Sequence, residues 1–330
     1  MILAGDIGGT KCNLGLFQQE GLVLRSVFQR RLATRDYTGF EDLIEDFIQQ
    51  AKANESASGS AIDAAGFAVA GAVVEGQRYS ANLPWVLDVS AFSRKLNLSN
   101  IQLLNDLIAT ALSLERLSAN DFAMLNRGVP GHHATKGVIA AGTGLGEALL
   151  FWDGEKYRVA PAEGGQADFA PRTERETQLL SHLRLQLGDV SCEEIVSGRG
   201  FRRIHEFLNA AVRHASFESE EGNAASEITQ RGLAKSCVVC QETLDFWTEI
   251  YAATIGNFVL HTMAVGGVYI AGGIAIKILP KLQEGAFFKV FCGTGKLAPV
   301  LACVPIAVVL NDNAPMLGAA YQALHSVIQP

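Results

Sequence analysis

The chain has 330 residues, of which 48% are hydrophobic and 18% are charged, and its formal net charge is −7. This length and apolar content are sufficient for a large buried core and for two domains. Because nucleic acids and anionic membranes both favour basic patches, the acidic balance predicts neither as a partner.

The first predicted element is a glycine hairpin, Gly5-Asp6-Ile7-Gly8-Gly9-Thr10, between apolar strands at 1–4 and 13–17. Its turn offers backbone N–H groups without side-chain bulk, which suits a phosphate. The Thr10 hydroxyl and the Asp6 carboxylate are groups that a magnesium nucleotide needs beside such donors. A plain hairpin turn is the alternative. Because the first strand begins at Met1, we expect no signal or transit peptide.

Strand and helix signals then alternate. We expect a strand at 22–32, a helix that starts with a Thr38–Glu41 capping box, a polar loop at 54–60 and a strand at 62–69. A tight turn at 70–72 follows.

A short buried strand at 101–104 leads into Asn105-Asp106 and a helix at 107–116. Ligands of α/β sheets lie beyond the carboxyl ends of the strands, so Asp106 is a candidate ligand-facing carboxylate. A helix N-cap is the alternative. The two roles are compatible if Asn105 caps the helix while Asp106 faces the ligand.

A second glycine hairpin, Gly142-Thr143-Gly144, lies between strands predicted at 137–140 and 147–152. Two such hairpins indicate a duplicated phosphate clamp that acts on one nucleotide. The known alternatives do not fit. Gly295-Lys296 is not followed by Ser or Thr, as the Walker pattern requires. Glu147 occupies the third glycine position of the dinucleotide fingerprint.

The segment 161–169 contains Glu163, Gln166 and Asp168 around the pair Gly164-Gly165. A glycine reversal there would turn Glu163 and Gln166 toward one point. Carboxylates and amides without metal-ligand spacing suit a polyhydroxyl ligand, whose hydroxyls both donate and accept hydrogen bonds. A polar turn is the alternative.

The remainder of the chain is more helical. We expect helices at 172–187, 200–214 and 224–265, the last one broken, then a strand at 268–270, a turn at Gly272-Gly273, a strand at 304–310 and a helix at 315–326. The stretch 250–276 has no charged residue, but its two glycine pairs and polar residues predict helix, turn and strand instead of a membrane span.

The six cysteines have no framework spacing, and Cys237 and Cys240 form one isolated CxxC without a nearby His in the sequence. Packed core thiols are the favoured interpretation, while a zinc or redox role stays open. Cysteine usage of this kind predicts a cytoplasmic protein.

Eight segments taken together resemble bacterial glucokinases, the hexose-kinase group without zinc in the actin/hexokinase ATPase superfamily. The resemblance covers nearly the whole chain. The segments are GDIGGT (5–10), NLPW (82–85), LLND (103–106), AAGTGLG (140–146), PAEGGQADFAP (161–171), VSCEEIVSG (190–198), GGVYIAGGI (266–274) and NDNAPMLGAA (311–320).

The resemblance implies a role for each candidate site residue. Asp106 would be the catalytic base that accepts the proton of the 6-hydroxyl of glucose. Both glycine hairpins would hold the phosphates of ATP, and Gly272 and Gly273 would pack beside the adenosine. Asp6 would hold Mg²⁺, directly or through water. The residues expected to bind the sugar are Asn82, Asn105, Asp106, Glu163, Gln166 and Glu193.

The resemblance also implies an α/β fold of two ribonuclease-H-like domains with a nucleotide and sugar cleft. Residues 1–116 and 311–330 would form the small domain and residues 117–310 the large one. Family members are often homodimers. Gln166 stands where relatives such as the enterobacterial enzymes have a His that contacts the sugar, which bears on sugar preference. The cysteine cluster of zinc-binding relatives has no counterpart here, so no structural metal is expected.

Two competing functions remain. The first is a kinase for another hexose or amino-hexose. The second is a sugar-sensing protein on the same fold. The regulators of this superfamily have a DNA-binding helix pair ahead of the first strand, which here starts at Met1, and the presence of Asp106 also disfavours a sensor.

Overall fold

The computed structural model describes residues 1–21, 23–54, 61–69, 71–74, 77–79, 83, 85, 87, 89–96, 98–214 and 224–328. Asn82, most of the predicted loop at 54–60 and Ala70 of the predicted turn lie outside these residues. The chain divides into two units, one of residues 1–118 and 311–330 and the other of residues 119–310.

Apolar runs separated by glycine turns produce the sheet of the first unit. Up to residue 118 its elements are β1 (Ile2–Ile7), β2 (Lys11–Glu20), β3 (Val23–Ala33), a 3₁₀ turn (Thr34–Asp36), α1 (Phe40–Lys52), β4 (Ala64–Val69), β5 (Ala72–Val74), β6 (Gln77–Tyr79), α2 (Val89–Leu96), β7 (Ile101–Asn105) and α3 (Asp106–Ser113).

The second unit combines a sheet with a larger helical part. Its elements are a 3₁₀ turn (Ala119–Asp121), β8 (Phe122–Asn126), β9 (Lys136–Ala141), β10 (Leu145–Trp152), β11 (Tyr157–Ala162), a 3₁₀ turn (Gly164–Gln166), α4 (Glu174–Leu187), α5 (Cys192–Ile195), α6 (Gly198–Asn209), α7 (Ala224–Leu233), α8 (Val238–Thr262), β12 (Val268–Ala271), α9 (Gly273–Lys277), α10 (Leu279–Leu282), α11 (Gly285–Cys292), α12 (Ala298–Ala302) and β13 (Ile306–Val309). The chain then returns to the first unit as α13 (Ala314–Ile328).

The two sheets share one plan. The first has the order β3-β2-β1-β4-β7 and the second the order β11-β10-β9-β12-β13-β8. In each sheet, three antiparallel strands continue into strands that run parallel to the innermost of them. The second sheet adds β8, antiparallel at its edge. This repetition confirms the predicted fold class, a duplicated ribonuclease-H-like α/β architecture.

Close helix packing fixes the position of α3 in the first unit. A Cβ atom at Gly66 of β4 would overlap the carbonyl oxygen of Ala319, and one at Gly318 would overlap that of Ala109. Glycine therefore lets α13 lie directly on both the sheet and α3. The position of α3 matters for the site because this helix begins with Asp106.

Several local predictions need correction. The helix predicted from Thr38 begins at Phe40 with Gly39 as N-cap. Its capping box is absent because the Thr38 hydroxyl donates to the Asp42 carboxylate instead of capping the backbone. The strand at 101–104 is half-buried, since β7 is an edge strand. Several elements were not predicted, namely α2, β5, β6, β8, β11, α5 and α9 to α12.

The uncharged stretch at 250–276 folds as the end of α8, a turn and β12, as predicted, and then continues into the start of α9, which was not predicted. None of the helices in the part of the chain that the structure describes is both long enough and apolar enough to span a membrane.

Candidate active site

The first glycine hairpin is confirmed and its turn is held by two further contacts. Ile7 and Cys12 face each other across β1 and β2, and the Gly8 N–H donates to the Lys11 carbonyl at 3.1 Å. The Thr34 hydroxyl donates to the Gly8 carbonyl at 2.7 Å, while the Thr34 N–H donates to the Thr10 carbonyl at 3.1 Å. Gly9 and Thr10 are exposed, so the outer side of this ordered turn is accessible from solvent.

Asp6 is a half-buried carboxylate with few compensating partners. The pKa of Asp6 is raised to about 6, mainly by burial and to a smaller extent by the neighbouring negative charge of Asp312. A 3.4 Å hydrogen bond from Asn13 Nδ2 and the positive charge of Lys11 act in the opposite direction. A carboxylate in this state, with a second acidic group nearby, has the donor chemistry that a hard divalent cation prefers. The sequence analysis missed Asp312.

Asn105 and Asp106 occupy the junction between β7 and α3. Asn105 Oδ1 accepts from the N–H groups of Leu107 at 2.9 Å and Ile108 at 3.2 Å, so the predicted N-cap is confirmed. Asn105 Nδ2 donates to the Gly71 carbonyl at 3.0 Å. Asp106 is the first residue of α3, and its Oδ1 accepts from the Leu107 N–H at 3.0 Å. The helix N-terminus therefore holds the Asp106 carboxylate in one orientation.

The second glycine hairpin is also confirmed, with β9 and β10 antiparallel on either side of residues 142–144. The Gly142 N–H donates to the Gly144 carbonyl at 2.8 Å, and the Gly142 carbonyl accepts from the Gly198 N–H at 2.8 Å. The second contact joins this turn to the start of α6.

A cavity of about 200 Å³ lies beside the second glycine turn. Phe201 of α6 and Ser226 and Thr229 of α7 form part of its wall. On another side are Ile274 and Lys277 of α9, the helix that begins at Gly273. Gly272 precedes this helix with a φ of 90°, a left-handed conformation that favours glycine. The remaining residues that line the cavity are Gly142, Thr143, Gly198 and Ala225.

Glu193 of α5 reaches the same turn. Its Oε2 accepts from the Leu145 N–H at 2.9 Å, and its Oε1 lies 3.2 Å from Arg199. A Cβ atom at Gly144 would overlap Glu193 Oε2. The structure therefore places this carboxylate against the hairpin, although the two are 49 residues apart.

The predicted reversal at Gly164-Gly165 is a 3₁₀ turn that starts after Glu163. The Gln166 N–H donates to the Glu163 carbonyl at 3.0 Å, and both side chains are exposed. A Cβ atom at Gly165 would overlap the Leu145 carbonyl oxygen. The turn thus lies directly on the beginning of β10, where Glu193 is also bound.

Glu147 is a site residue that the sequence analysis missed. Its carboxylate packs against Gly164, where a Cβ atom would overlap Oε2. Burial, followed by the negative charge of Glu163, raises the pKa of Glu147 to about 7. The available signal was a single carboxylate within the otherwise apolar strand 145–152, since buried acids are rarely placed without a function or a partner.

Replacement of Glu147 by Gln should change how stability depends on pH. The folded-state pKa, about 7, lies above the ordinary value of 4.5, so the native state binds more protons between these values. Protonated Glu147 contributes fully to the free energy of unfolding below pH 4.5. This contribution is lost as the pH rises to 7, by up to about 3 kcal/mol. The melting temperature of Glu147→Gln minus that of the unmodified chain should therefore be greater at pH 8 than at pH 4.5. Thermal unfolding at both pH values tests this, with Glu155→Gln at an exposed turn as control. A parallel pH dependence in all three proteins would contradict it.

Three features define the class of this protein as a hexokinase-like ATPase. They are the duplicated sheets, the glycine turn in each unit and the carboxylate at a strand end. The family model described as Glucokinase matches residues 3–326 of this chain. A protein of Nostoc punctiforme named Glucokinase is 34% identical over 339 residues, covering 97% of this chain and 98% of that protein.

Solved structures agree with this. The glucokinase from an Antarctic psychrotroph has a TM-score of 0.83 at 25% identity, with 98% of each chain covered. The ROK-family glucokinase from Streptomyces griseus has the same fold, with a TM-score of 0.66 at 22% identity and coverage of 98% of this chain and 99% of that one. The chain belongs to the glucokinase family and is an ATP-dependent hexose kinase.

Proposed function

We propose that this protein transfers the γ-phosphoryl group of ATP to the 6-hydroxyl of D-glucose, the first step of glycolysis, in the cytoplasm. The observation that carries the proposal is Asp106 as the first residue of α3, beyond the carboxyl end of β7 and beside the capping residue Asn105. In the S. griseus structure the protein is in complex with glucose and AMPPNP, which supports the same substrate pair here. Six free thiols support a reducing compartment.

In the proposed reaction the 6-hydroxyl oxygen attacks the γ-phosphorus and its proton passes to the Asp106 carboxylate. The bond between the γ-phosphorus and the bridging oxygen breaks, and ADP leaves. Because this transition state is loose, most of the catalysis comes from positioning and from donors directed at the phosphate oxygens. The N–H groups of Gly9 and Thr10 in the first glycine turn, and of Thr143 and Gly144 in the second, would supply those donors.

The nucleotide is assigned to the cavity beside the second turn. Thr143 lines this cavity and would contact the phosphates, while Gly272 and Gly273 at the start of α9 would lie beside the adenosine. Lys277 provides a positive charge on this wall. Asp6, which has the donor chemistry for a divalent cation, would hold Mg²⁺, and the bound ion would neutralise phosphate charge.

The sugar hydroxyls are assigned to Asn82, Asn105, Glu163, Gln166 and Glu193. Three of these assignments rest on the convergence of the 164–166 turn, α5 and the second glycine turn at the start of β10. Glu147 adds a further carboxylate beneath that turn. The domain boundaries at residues 116 and 311 remain predictions, and so does the homodimer.

A coupled ADP-release assay across a panel of hexoses and amino-hexoses tests the proposed function. Glucose should give the highest kcat/KM. A higher value with another sugar would assign the protein to that sugar, whereas ADP release that no sugar stimulates would favour a sensor.

The Asp6 assignment predicts a pH-dependent need for Mg²⁺. The pKa of Asp6 is about 6, so this side chain is an ionised carboxylate above pH 6 and becomes protonated as the pH falls through that value. At pH 5 about one carboxylate in ten is ionised, and the apparent Mg²⁺ affinity should be about tenfold weaker than at pH 7.5. Mg²⁺ titration of initial rates measures this. Asp6→Asn should need more Mg²⁺ at both pH values and lose this difference, while the exposed variant Asp36→Asn should behave as the unmodified chain. An Asp6→Asn titration that matches the unmodified chain would move the metal elsewhere.

The Glu163 assignment predicts weaker sugar binding in Glu163→Ala, by about 1–3 kcal/mol, because sugar hydroxyls lose their acceptor. Calorimetric titration with glucose measures the loss, and Glu155→Ala in an exposed turn is the control. Gln166→His should retain activity and change the ranking of glucose against other hexoses. Unchanged affinity together with an unchanged ranking would place the sugar away from the 164–166 turn.

A further inference from the structure

Three side chains of types that can bind a metal ion lie close together in the second unit. His205 of α6, His214 in the segment after α6, and Cys240 in the first turn of α8 bring one ligand atom each within 4.8 Å of the others. His205 and Cys240 are fully buried, and His214 is half-buried. None of the three belongs to the proposed active site.

The orientation of His214 is that of a metal ligand with a supporting carboxylate. Its Nε2 lies 3.1 Å from Cys240 Sγ, and its Nδ1 lies 4.0 Å from Glu227 Oε1. Metal-binding histidines use one ring nitrogen as ligand and direct the other toward a carboxylate, carbonyl or water. Glu227 is itself positioned by Arg231, 2.8 Å away on α7.

A fourth side chain of the right type is near in the sequence. Cys237 is the N-cap residue of α8, three residues before Cys240, and its thiol lies outside the group of three ligand atoms that approach within 4.8 Å of one another. A CxxC pair provides two sulfurs from one helix start, and two cysteines with two histidines are a common ligand set of structural zinc sites. The sequence spacing does not indicate this combination of two histidines and two cysteines, because both histidines lie more than 20 residues before the cysteine pair.

We propose that His205, His214 and Cys240 bind one Zn²⁺ ion that joins α6, the following segment and α8, and that Cys237 becomes the fourth ligand when its thiol turns toward the ion. Thiolate and imidazole donors favour this metal over Mg²⁺ or Ca²⁺. Burial raises the pKa of Cys240 to about 12 in the metal-free protein, and a bound divalent cation would displace that proton. The ion would brace α6, the helix that carries Phe201 of the cavity wall.

Metal analysis of the full chain, purified without a metal-affinity tag or chelator, tests the proposal independently of kinase activity. Mass spectrometry of the elements should find about one zinc per chain. Addition of Co²⁺ alone to the metal-free protein should produce a thiolate-to-cobalt charge-transfer band. Cys240→Ser and His214→Gln should lose both signals, whereas His261→Gln on the exposed end of α8 and Cys303→Ser should keep them.

Glu227→Gln should fold and lower the zinc affinity by about 10- to 100-fold, because it removes the carboxylate that orients His214. Glu284→Gln, which removes one of the two carboxylate partners of Lys281, is the control. If the Cys240 variant does not fold, the unmodified chain and Glu227→Gln still decide the matter. Less than about one-tenth zinc per chain without a cobalt band would overturn the proposal. A Cys237–Cys240 disulfide in metal-free protein would also overturn it, in favour of a redox pair.

Discussion

Replacement of Asp106 by Asn should lower the turnover number by about 10²- to 10⁴-fold while glucose affinity stays within about tenfold. The amide has the shape of the carboxylate, and its oxygen can still accept from the Leu107 N–H, as Asp106 Oδ1 does at 3.0 Å. What the variant loses is the acceptor for the 6-hydroxyl proton. Steady-state assays measure turnover, and calorimetry with glucose measures affinity separately.

Asp36→Asn, an exposed change of the same chemistry in the same unit, is the control and should keep full activity. An Asp106→Asn enzyme with more than about one-tenth of the normal turnover would mean that Asp106 only supports the helix start, because a positioned base contributes far more. If affinity fell together with turnover, the side chain would act mainly in binding the sugar.

Local chemistry explains which parts of the site could be predicted from the sequence. Each glycine hairpin needs only its own turn residues and flanking apolar runs, so both were predicted with their strands. Asn105 as an N-cap likewise depends on neighbouring residues alone. The capping box at Thr38 was wrong because a nearby carboxylate on Asp42 competed for the hydroxyl. Spacing patterns do not include that competition.

Contacts between distant segments explain what could not be predicted. Glu147 becomes a site residue only because the 164–166 turn packs against its carboxylate, and Asp312 reaches Asp6 only because the chain returns to the first unit. The short helices between residues 273 and 302 have no sustained periodicity, and packing against the core defines them. The sequence pattern therefore predicts motifs, and tertiary packing decides which of them share a site.

The contact between Gly144 and Glu193 leads to the second large expected effect. Gly144→Ala should lower kcat/KM for glucose by about 10²-fold, a typical cost of misplacing site groups by about 1 Å. The new methyl group would overlap Glu193 Oε2, so the carboxylate must move away from the Leu145 N–H that it accepts from at 2.9 Å. A proposed sugar ligand is then displaced from its position beside the proposed phosphate turn. Gly285→Ala, where a Cβ atom meets no neighbouring atom, is the control.

A double-mutant cycle with Glu193→Ala separates this mechanism from a general effect on the turn. Glu193→Ala removes the carboxylate that the methyl group would strike, so adding Gly144→Ala in that background should cost less than about threefold in kcat/KM. Equal costs in the two backgrounds would mean that the methyl group obstructs the nucleotide or alters the turn itself. A large cost in the native background and a small one in the other would show that the 144–193 contact sets the geometry of the site. That contact would then explain why glycine occupies position 144, where φ lies outside the left-handed region and the backbone alone does not require it.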